Sequence, residues 1–442
     1  MTRVLLVTVG GSPDPILEAV KIHKPDELIF ICSAPPCDAP SVSQVIGKGE
    51  PCQHYGPNGE PQWRSNLVSQ LDLVNFRPDL QILEIPDPDD LVDCHRRIQS
   101  FCNVLKHRFI KLELIGDYSG GTKTMSAALT LVLVDQGAEI SLVSGKRRDL
   151  NRIIISEGSR SIAVGPLKAS RLLKEQLPLL LQTHFYDRAL QAIAELRSDH
   201  EKSLDQIQLE AFKQLEDCLP VLMLWDSFRW KEALEQAKTT ILFIEFPALI
   251  DWWQRVVSSR LWLDHQQPLV AVTGYELVQD LLLNAQRRGC RGWYDDAIAR
   301  LYRTLELLAQ TYIQLEKGYD HQTFWDNEQI HRDCQQWNVK RGVGGLYWWL
   351  RHVEGATGLA GAASSQWHQI RDLLDARNQS LLGHGLRPVA RNDWQSLQQR
   401  VSNLVTTALT ELGCTQGAHP HQLPGISLLE VPAAIILLGG NQ

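Results

Sequence analysis

The eleven-residue stretch Ile115-Gly116-Asp117-Tyr118-Ser119-Gly120-Gly121-Thr122-Lys123-Thr124-Met125 constrains this chain more than any other. The apolar run Leu112 to Ile115 reads as a buried strand, and the small and aliphatic run Ser126 to Val134 reads as a helix. Strand, glycine turn and helix in that order leave free backbone amides at the turn, with the positive end of a helix dipole behind them. Together with the hydroxyls of Ser119 and Thr122 and the ammonium of Lys123, that turn suits phosphate or another polyanion. The same residues also suit a plain turn whose hydroxyls cap the helix. A nucleoside-triphosphate loop is excluded: Gly116 and Gly121 have the required separation, but Thr122 intrudes and sets Lys123-Thr124 one residue late.

Around this stretch, residues 1 to about 165 alternate strand and helix signals. Expected strands are Arg3 to Val9, Glu27 to Ser33, Gln81 to Ile85, Leu112 to Ile115, Ala138 to Ser144 and Arg152 to Ser156. Helices are expected from Asp14, from Leu91 to His107 and from Ser126. The segment from Pro35 to Pro61 reads as a long loop with little regular structure. This alternation implies a mostly parallel, Rossmann-like α/β sheet wound on both faces, with ligands beyond the carboxyl ends of the strands. The turns Gly10-Gly11-Ser12, Ser33-Ala34 and Ser119 to Lys123 then share one edge. Gly10-Gly11 does not open a dinucleotide fingerprint, because Ser12 and Pro15 occupy the later glycine positions. Lys146-Arg147-Arg148 is either added positive charge at that edge or a solvated hairpin turn.

From about Pro166 the texture becomes helical, and tryptophan is frequent at spacings that suit a core. The expected division is an α/β domain over residues 1–165, a helical linker over 166–270 and an all-α domain over 271–442. A chain of 442 residues is too long for one ordinary core. Its formal charge of −7 disfavours broad coating of nucleic acid, and no stable DNA binding is expected. With no signal peptide and no membrane span in view, a cytoplasmic location is expected. Nine scattered cysteines without CxxC pairs read as reduced thiols, and Cys52-Gln53-His54 and Cys94-His95 lack the second half of a metal site.

A second constellation lies near the other end, Arg377-Asn378-Gln379-Ser380-Leu381-Leu382-Gly383-His384-Gly385. On an unbroken helix Arg377 and His384 share a face about 10 Å apart, and Gly383 and Gly385 invite a bend that shortens the separation. A permanent cation beside a titratable imidazole is what metal-free phosphodiester cleavage needs. His384 either removes the proton of a ribose 2′-hydroxyl or protonates a reacting oxygen, Arg377 neutralises charge developing at phosphorus, and Asn378 holds loop or substrate. Read alone, the same pair is also a surface arginine and a helix-terminal histidine.

Taken together, the turns Val9-Gly10-Gly11-Ser12-Pro13 and Asp117 to Met125 resemble the CARF domain of CRISPR-associated accessory proteins, and Arg377-Asn378 with His384 resembles the Arg-x(4 to 6)-His motif of HEPN ribonucleases. The resemblance covers residues 1 to about 165 and roughly 275 to 415. It implies a homodimer in which a cyclic oligoadenylate, cyclic tetra- or hexa-adenylate, binds across the two CARF domains as an allosteric activator. The composite HEPN site then cuts single-stranded RNA without a metal in type III CRISPR antiviral defence. Carried over residue by residue, Gly10, Gly11, Ser12, Ser119, Gly120, Gly121, Thr122 and Lys123 become ligand contacts and Arg377, Asn378 and His384 the catalytic set. Glu306 is a further polar candidate. The rival readings are a sensor or regulator whose HEPN domain does not cleave, and an enzyme that degrades the cyclic oligoadenylate itself.

Overall fold

A computed structural model describes residues 2–55, 60–147, 153–162, 164–352, 359, 367–383, 385–414 and 419–430. The chain divides into two compact units, residues 1–171 with 196–208, and residues 172–195 with 209–442.

The first unit is built on a six-stranded sheet: β1 (Thr2–Thr8), β2 (Glu27–Ser33), β5 (Ile82–Ile85), β6 (Leu112–Asp117), β7 (Glu139–Arg147) and β8 (Ile153–Ile162). Its spatial order is β5-β2-β1-β6-β7-β8. All pairings are parallel except β7 with β8. The run Val4-Leu5-Leu6-Val7 is wholly buried because both faces of β1 are covered. Leu5 and Val7 pack with Ile16 and Ala19 of the Asp14–His23 helix. Val4 and Leu6 face the opposite layer, where Ile98 and Cys102 of the Leu91–Arg108 helix meet Met125 and Leu129 of the Lys123–Gln136 helix. The Leu91 helix starts where expected, with the Asp90 carboxylate accepting the amides of Val92 and Asp93 at 2.9 and 3.1 Å.

The segment after β2 departs from expectation. It holds a short helix, Val42–Ile46, and an antiparallel hairpin of β3 (Cys52–Tyr55) and β4 (Pro61–Arg64). Glycine and proline hide its alternation, in which Cys52 and His54 turn inward and are buried. Neither is part of a ligand pair: the Cys52 thiol faces the Gln44 carbonyl, and His54 Nδ1 lies 2.5 Å from the Asp14 carboxylate. Lys146 and Arg147 belong to β7, whereas Arg148 lies outside the described residues.

The second unit is helical among its described residues, and no described helix is long and apolar enough to cross a membrane. The Glu276–Cys290 helix packs against the Tyr294–Lys317 helix, and the Arg391–Glu411 helix lies against both. Gly289 makes that packing possible, because a Cβ there would sit 2.0 Å from the Trp394 indole. Trp225, Trp252, Trp253 and Trp349 are fully buried, and Trp225 stacks on Trp253 at 4.2 Å, as expected of core tryptophans. The buried carboxylate of Asp226 meets Arg287 at 2.7 Å, Arg288 at 3.1 Å and Arg291 at 2.7 Å. Burial pushes its pKa up, but the three guanidiniums outweigh that and hold it below the ordinary value. Of the tail, Ile426–Glu430 forms a short 3-10 turn and residues 431–442 lie outside the described residues.

Candidate functional site

Each unit holds one candidate site. The first lies where β1 and β6, adjacent parallel strands, both end. β1 connects to β2 on one side while β6 pairs on the other, so the two turns meet at the switch point of the sheet. Their backbones touch: a Cβ on Gly10 would lie 2.5 Å from the Gly121 nitrogen, and one on Gly120 would lie 2.3 Å from the Thr8 carbonyl oxygen. Gly121 has a φ of +74°, open to glycine at little cost. The Gly120 carbonyl is drawn inward by the Thr8 and Ser126 hydroxyls, which donate to it at 2.7 and 2.8 Å.

Beneath the turn, Asp117 is 2% exposed and accepts from the Ser119 amide at 3.0 Å and the Ser141 hydroxyl at 2.8 Å. His23 Nε2 lies 2.8 Å from the same Ser141 oxygen. Burial raises the Asp117 pKa, and the hydrogen bonds from Ser119 and Ser141 moderate the rise.

The predicted ligand residues therefore divide by task. Gly10, Gly120 and Gly121 shape the turn. Thr122 caps the following helix, accepting from the Met125 amide at 3.1 Å while its hydroxyl donates to the Pro88 carbonyl at 2.8 Å. The Ser119 oxygen accepts from the Val143 amide at 2.7 Å, and its hydroxyl donates to the Asp117 carboxylate, so the side chain is used within the turn. Gly11 is exposed with nothing within 4 Å of its Cβ position, and the Ser12 hydroxyl donates to Asp14 at 3.2 Å. Lys123 is exposed and pairs with none of the described residues. The amides of Gly120, Gly121, Lys123 and Thr124 find no acceptor among the described residues, the condition of an anion-binding helix start. Ser33, by contrast, is buried and bonded to Ser41.

The second site centres on the end of the Trp367–Gln379 helix. The Arg377 guanidinium stands 4.9 Å from the ring centre of Tyr302, on the Tyr294 helix, and donates to the Asn378 side-chain oxygen at 3.2 Å. The helix does not continue to position 384. The Ser380 carbonyl accepts from the amides of Gly383 and Gly385, and a Cβ on either glycine would lie within about 2 Å of the Arg377 or Gln379 carbonyl oxygen. The chain thus folds back on its own helix end, as the two glycines suggest. His384 lies outside the described residues.

Sequence reading missed what fixes this segment. Asp295, in the first turn of the Tyr294 helix, accepts from the Leu381 amide at 3.3 Å with one carboxylate oxygen and from the Val389 amide at 3.2 Å with the other. The available signal was the acidic pair Asp295-Asp296 at a helix start, indistinguishable in sequence from an ordinary dipole-matching pair. Glu306 is paired with Arg303 at 2.7 Å.

Residues 270–408 match the family model of the Csm6 HEPN domain. No curated protein matches the chain. Among solved structures, Csm6 of Enterococcus italicus bound to cyclic hexa-2′-fluoro-hexa-dAMP matches with a TM-score of 0.53 at 14% identity, over 94% of this chain and 96% of that one. A parallel α/β unit and a helical unit containing the matched HEPN segment fulfil the expected architecture. The chain shares the fold of the Csm6 structure, and its residues 270–408 are similar to the Csm6 HEPN domain family.

Proposed function

We propose that this protein is a metal-independent endoribonuclease that cuts single-stranded RNA in type III CRISPR defence when a cyclic oligoadenylate binds its CARF domain. Residues 1–165 are the sensing domain, 166–270 a helical linker and 271–442 the ribonuclease domain of a cytoplasmic homodimer. The observation that carries the reading is the pairing, on one chain, of an edge with unpaired amides and a free Lys123 with an arginine-bearing helix end inside the matched HEPN segment. The bound cyclic nucleotide of the E. italicus Csm6 structure favours cyclic hexa-adenylate as the activator.

In the reaction a ribose 2′-hydroxyl loses its proton and its oxygen attacks the adjacent phosphorus, while the 5′-oxygen leaves and takes up a proton. His384 handles these protons, and Arg377 neutralises the charge that grows on the non-bridging oxygens. Two Arg377–His384 pairs meeting across a twofold axis supply both cations to one phosphate. Mass spectrometry of the fragments tests the chemistry. A 2′,3′-cyclic phosphate or its opened product is expected on the upstream fragment, and an RNA with a 2′-O-methyl group at every position should remain whole. Equal cleavage of that RNA would overturn the 2′-hydroxyl mechanism.

A further inference from the structure

Between the Trp367–Gln379 and Arg391–Glu411 helices, beside the second site, lies a cavity of about 330 Å³. Its floor is apolar, formed by Ala376, Val389 and Leu397, of which Leu397 is 6% exposed. Its rim carries Asp375, Gln379, Arg387, Asp393 and Ser396, and none of these side chains has a partner among the described residues. Asp372, by contrast, is held by Arg400 at 2.9 Å. The backbone around the cavity is tied down, with the Arg387 amide donating to the Gln379 carbonyl at 3.0 Å and the Val389 amide to Asp295 at 3.2 Å.

An apolar floor under a rim of unpaired acceptors and donors suits a flat ligand with apolar faces and a polar edge. Phosphate is disfavoured, because Asp372, Asp375 and Asp393 outnumber Arg387 and Arg400 among the lining charges. Among nucleobases the rim favours guanine. Its adjacent N1–H and N2–H groups match a carboxylate, and its O6 and N7 acceptors match the fork of a guanidinium. Adenine and cytosine each offer one exocyclic amine beside ring acceptors, and uracil offers one N–H between two carbonyls. The cavity shares the Arg377-Asn378 helix and borders the segment that follows His384.

We propose that this cavity is a subsite that reads a guanine base of single-stranded RNA, Asp375 or Asp393 taking the Watson–Crick donors and Arg387 the O6 and N7 acceptors. The inference rests on the ribonuclease reading for its substrate, but its first test does not require cleavage. Fluorescence anisotropy of the full-length protein with 2′-O-methyl uridine hexamers carrying one central guanine, adenine or cytosine reads binding alone. The guanine hexamer is expected to bind about tenfold more tightly than the others. In a double Asp375→Asn, Asp393→Asn variant, which keeps the side-chain shapes, the advantage of the guanine hexamer over the adenine and cytosine hexamers should vanish. Equal binding of all hexamers, no binding of any, or an advantage that survives the double substitution overturns the subsite. Cleavage mapping of a random RNA pool with cyclic hexa-adenylate present separates the two readings. Cleavage without guanine enrichment at a fixed distance from the cut sinks the subsite and leaves the ribonuclease, whereas guanine-selective binding without cleavage does the reverse.

Discussion

The backbone of Gly10 lies against that of Gly121, so closely that a Cβ on Gly10 would stand 2.5 Å from the Gly121 nitrogen. The close approach locks the end of β1 to the end of β6 and brings the two glycine turns into one surface. Gly10→Ala must push one backbone off the other and should cost about 1–3 kcal/mol, as overpacking does. Gly11→Ala, with open space at its Cβ position, should leave stability unchanged. Hydrogen exchange of the β1 and β6 amides separates the two, with faster exchange expected only for the Gly10 variant.

Asp295 supports the candidate ribonuclease segment from outside it. Its two oxygens hold the Leu381 and Val389 amides, on either side of the glycine-rich fold-back. Asp295→Ala leaves both without that acceptor and should lower RNA cleavage tenfold or more, since a charged hydrogen bond contributes about 1.5–3 kcal/mol. Affinity for cyclic hexa-adenylate, measured calorimetrically, should stay at the wild-type value. Asp295→Asn, which keeps one acceptor oxygen, should fall between. Wild-type cleavage by the alanine variant would show that the segment holds its shape without the carboxylate.

Lys123 is exposed at the glycine turn after β6. Lys123→Ala should weaken cyclic hexa-adenylate by about tenfold, the scale of one charge-assisted contact, and make binding less sensitive to salt. Titrations at two ionic strengths check both effects, and ligand-independent cleavage serves as the unaffected control.

His184 makes the helical unit sensitive to acid. Its Nδ1 lies 2.8 Å from the Tyr186 oxygen, whose proton is donated to the Pro424 carbonyl at 2.9 Å, so His184 must donate at Nδ1. Burial, then the charges of Arg287 and Arg291, lower its pKa from 6.5 to about 4. A histidine with a depressed folded pKa is favoured neutral, so its stabilisation is complete above the unfolded value of 6.5 and drains away as pH falls toward 4. The full loss is on the order of 3 kcal/mol. Denaturation from pH 7.5 to 4 should show this slope, and His184→Asn should flatten it. Asparagine keeps an N–H donor and tolerates the positive φ of 57° at this position.

The parallel sheet was legible because β1, β2 and β6 are short apolar runs separated by helices, and a strand buried on both faces needs no finer code. The hairpin after β2 was not legible, since Cys52 and His54 become inward-facing only once His54 meets Asp14, a partner forty residues away in sequence. The glycine turns were recognisable as a site, but not their division of labour. Nothing local distinguishes Thr122, whose hydroxyl is used inside the turn, from Lys123, which is free. Likewise Asp295 reads as one more acidic residue at a helix start until the returning chain brings Leu381 and Val389 to it. These are long-range pairings, which periodicity does not encode.

The most direct test is cleavage of an end-labelled, unstructured RNA in EDTA, with and without cyclic hexa-adenylate. Strong cleavage only with the ligand is expected for the wild type, and its loss in Arg377→Ala and His384→Ala variants that still bind the ligand. RNA left intact by wild-type protein saturated with the cyclic nucleotide, or undiminished cleavage by the two variants, would contradict the assignment of a ligand-controlled ribonuclease centred on Arg377 and His384.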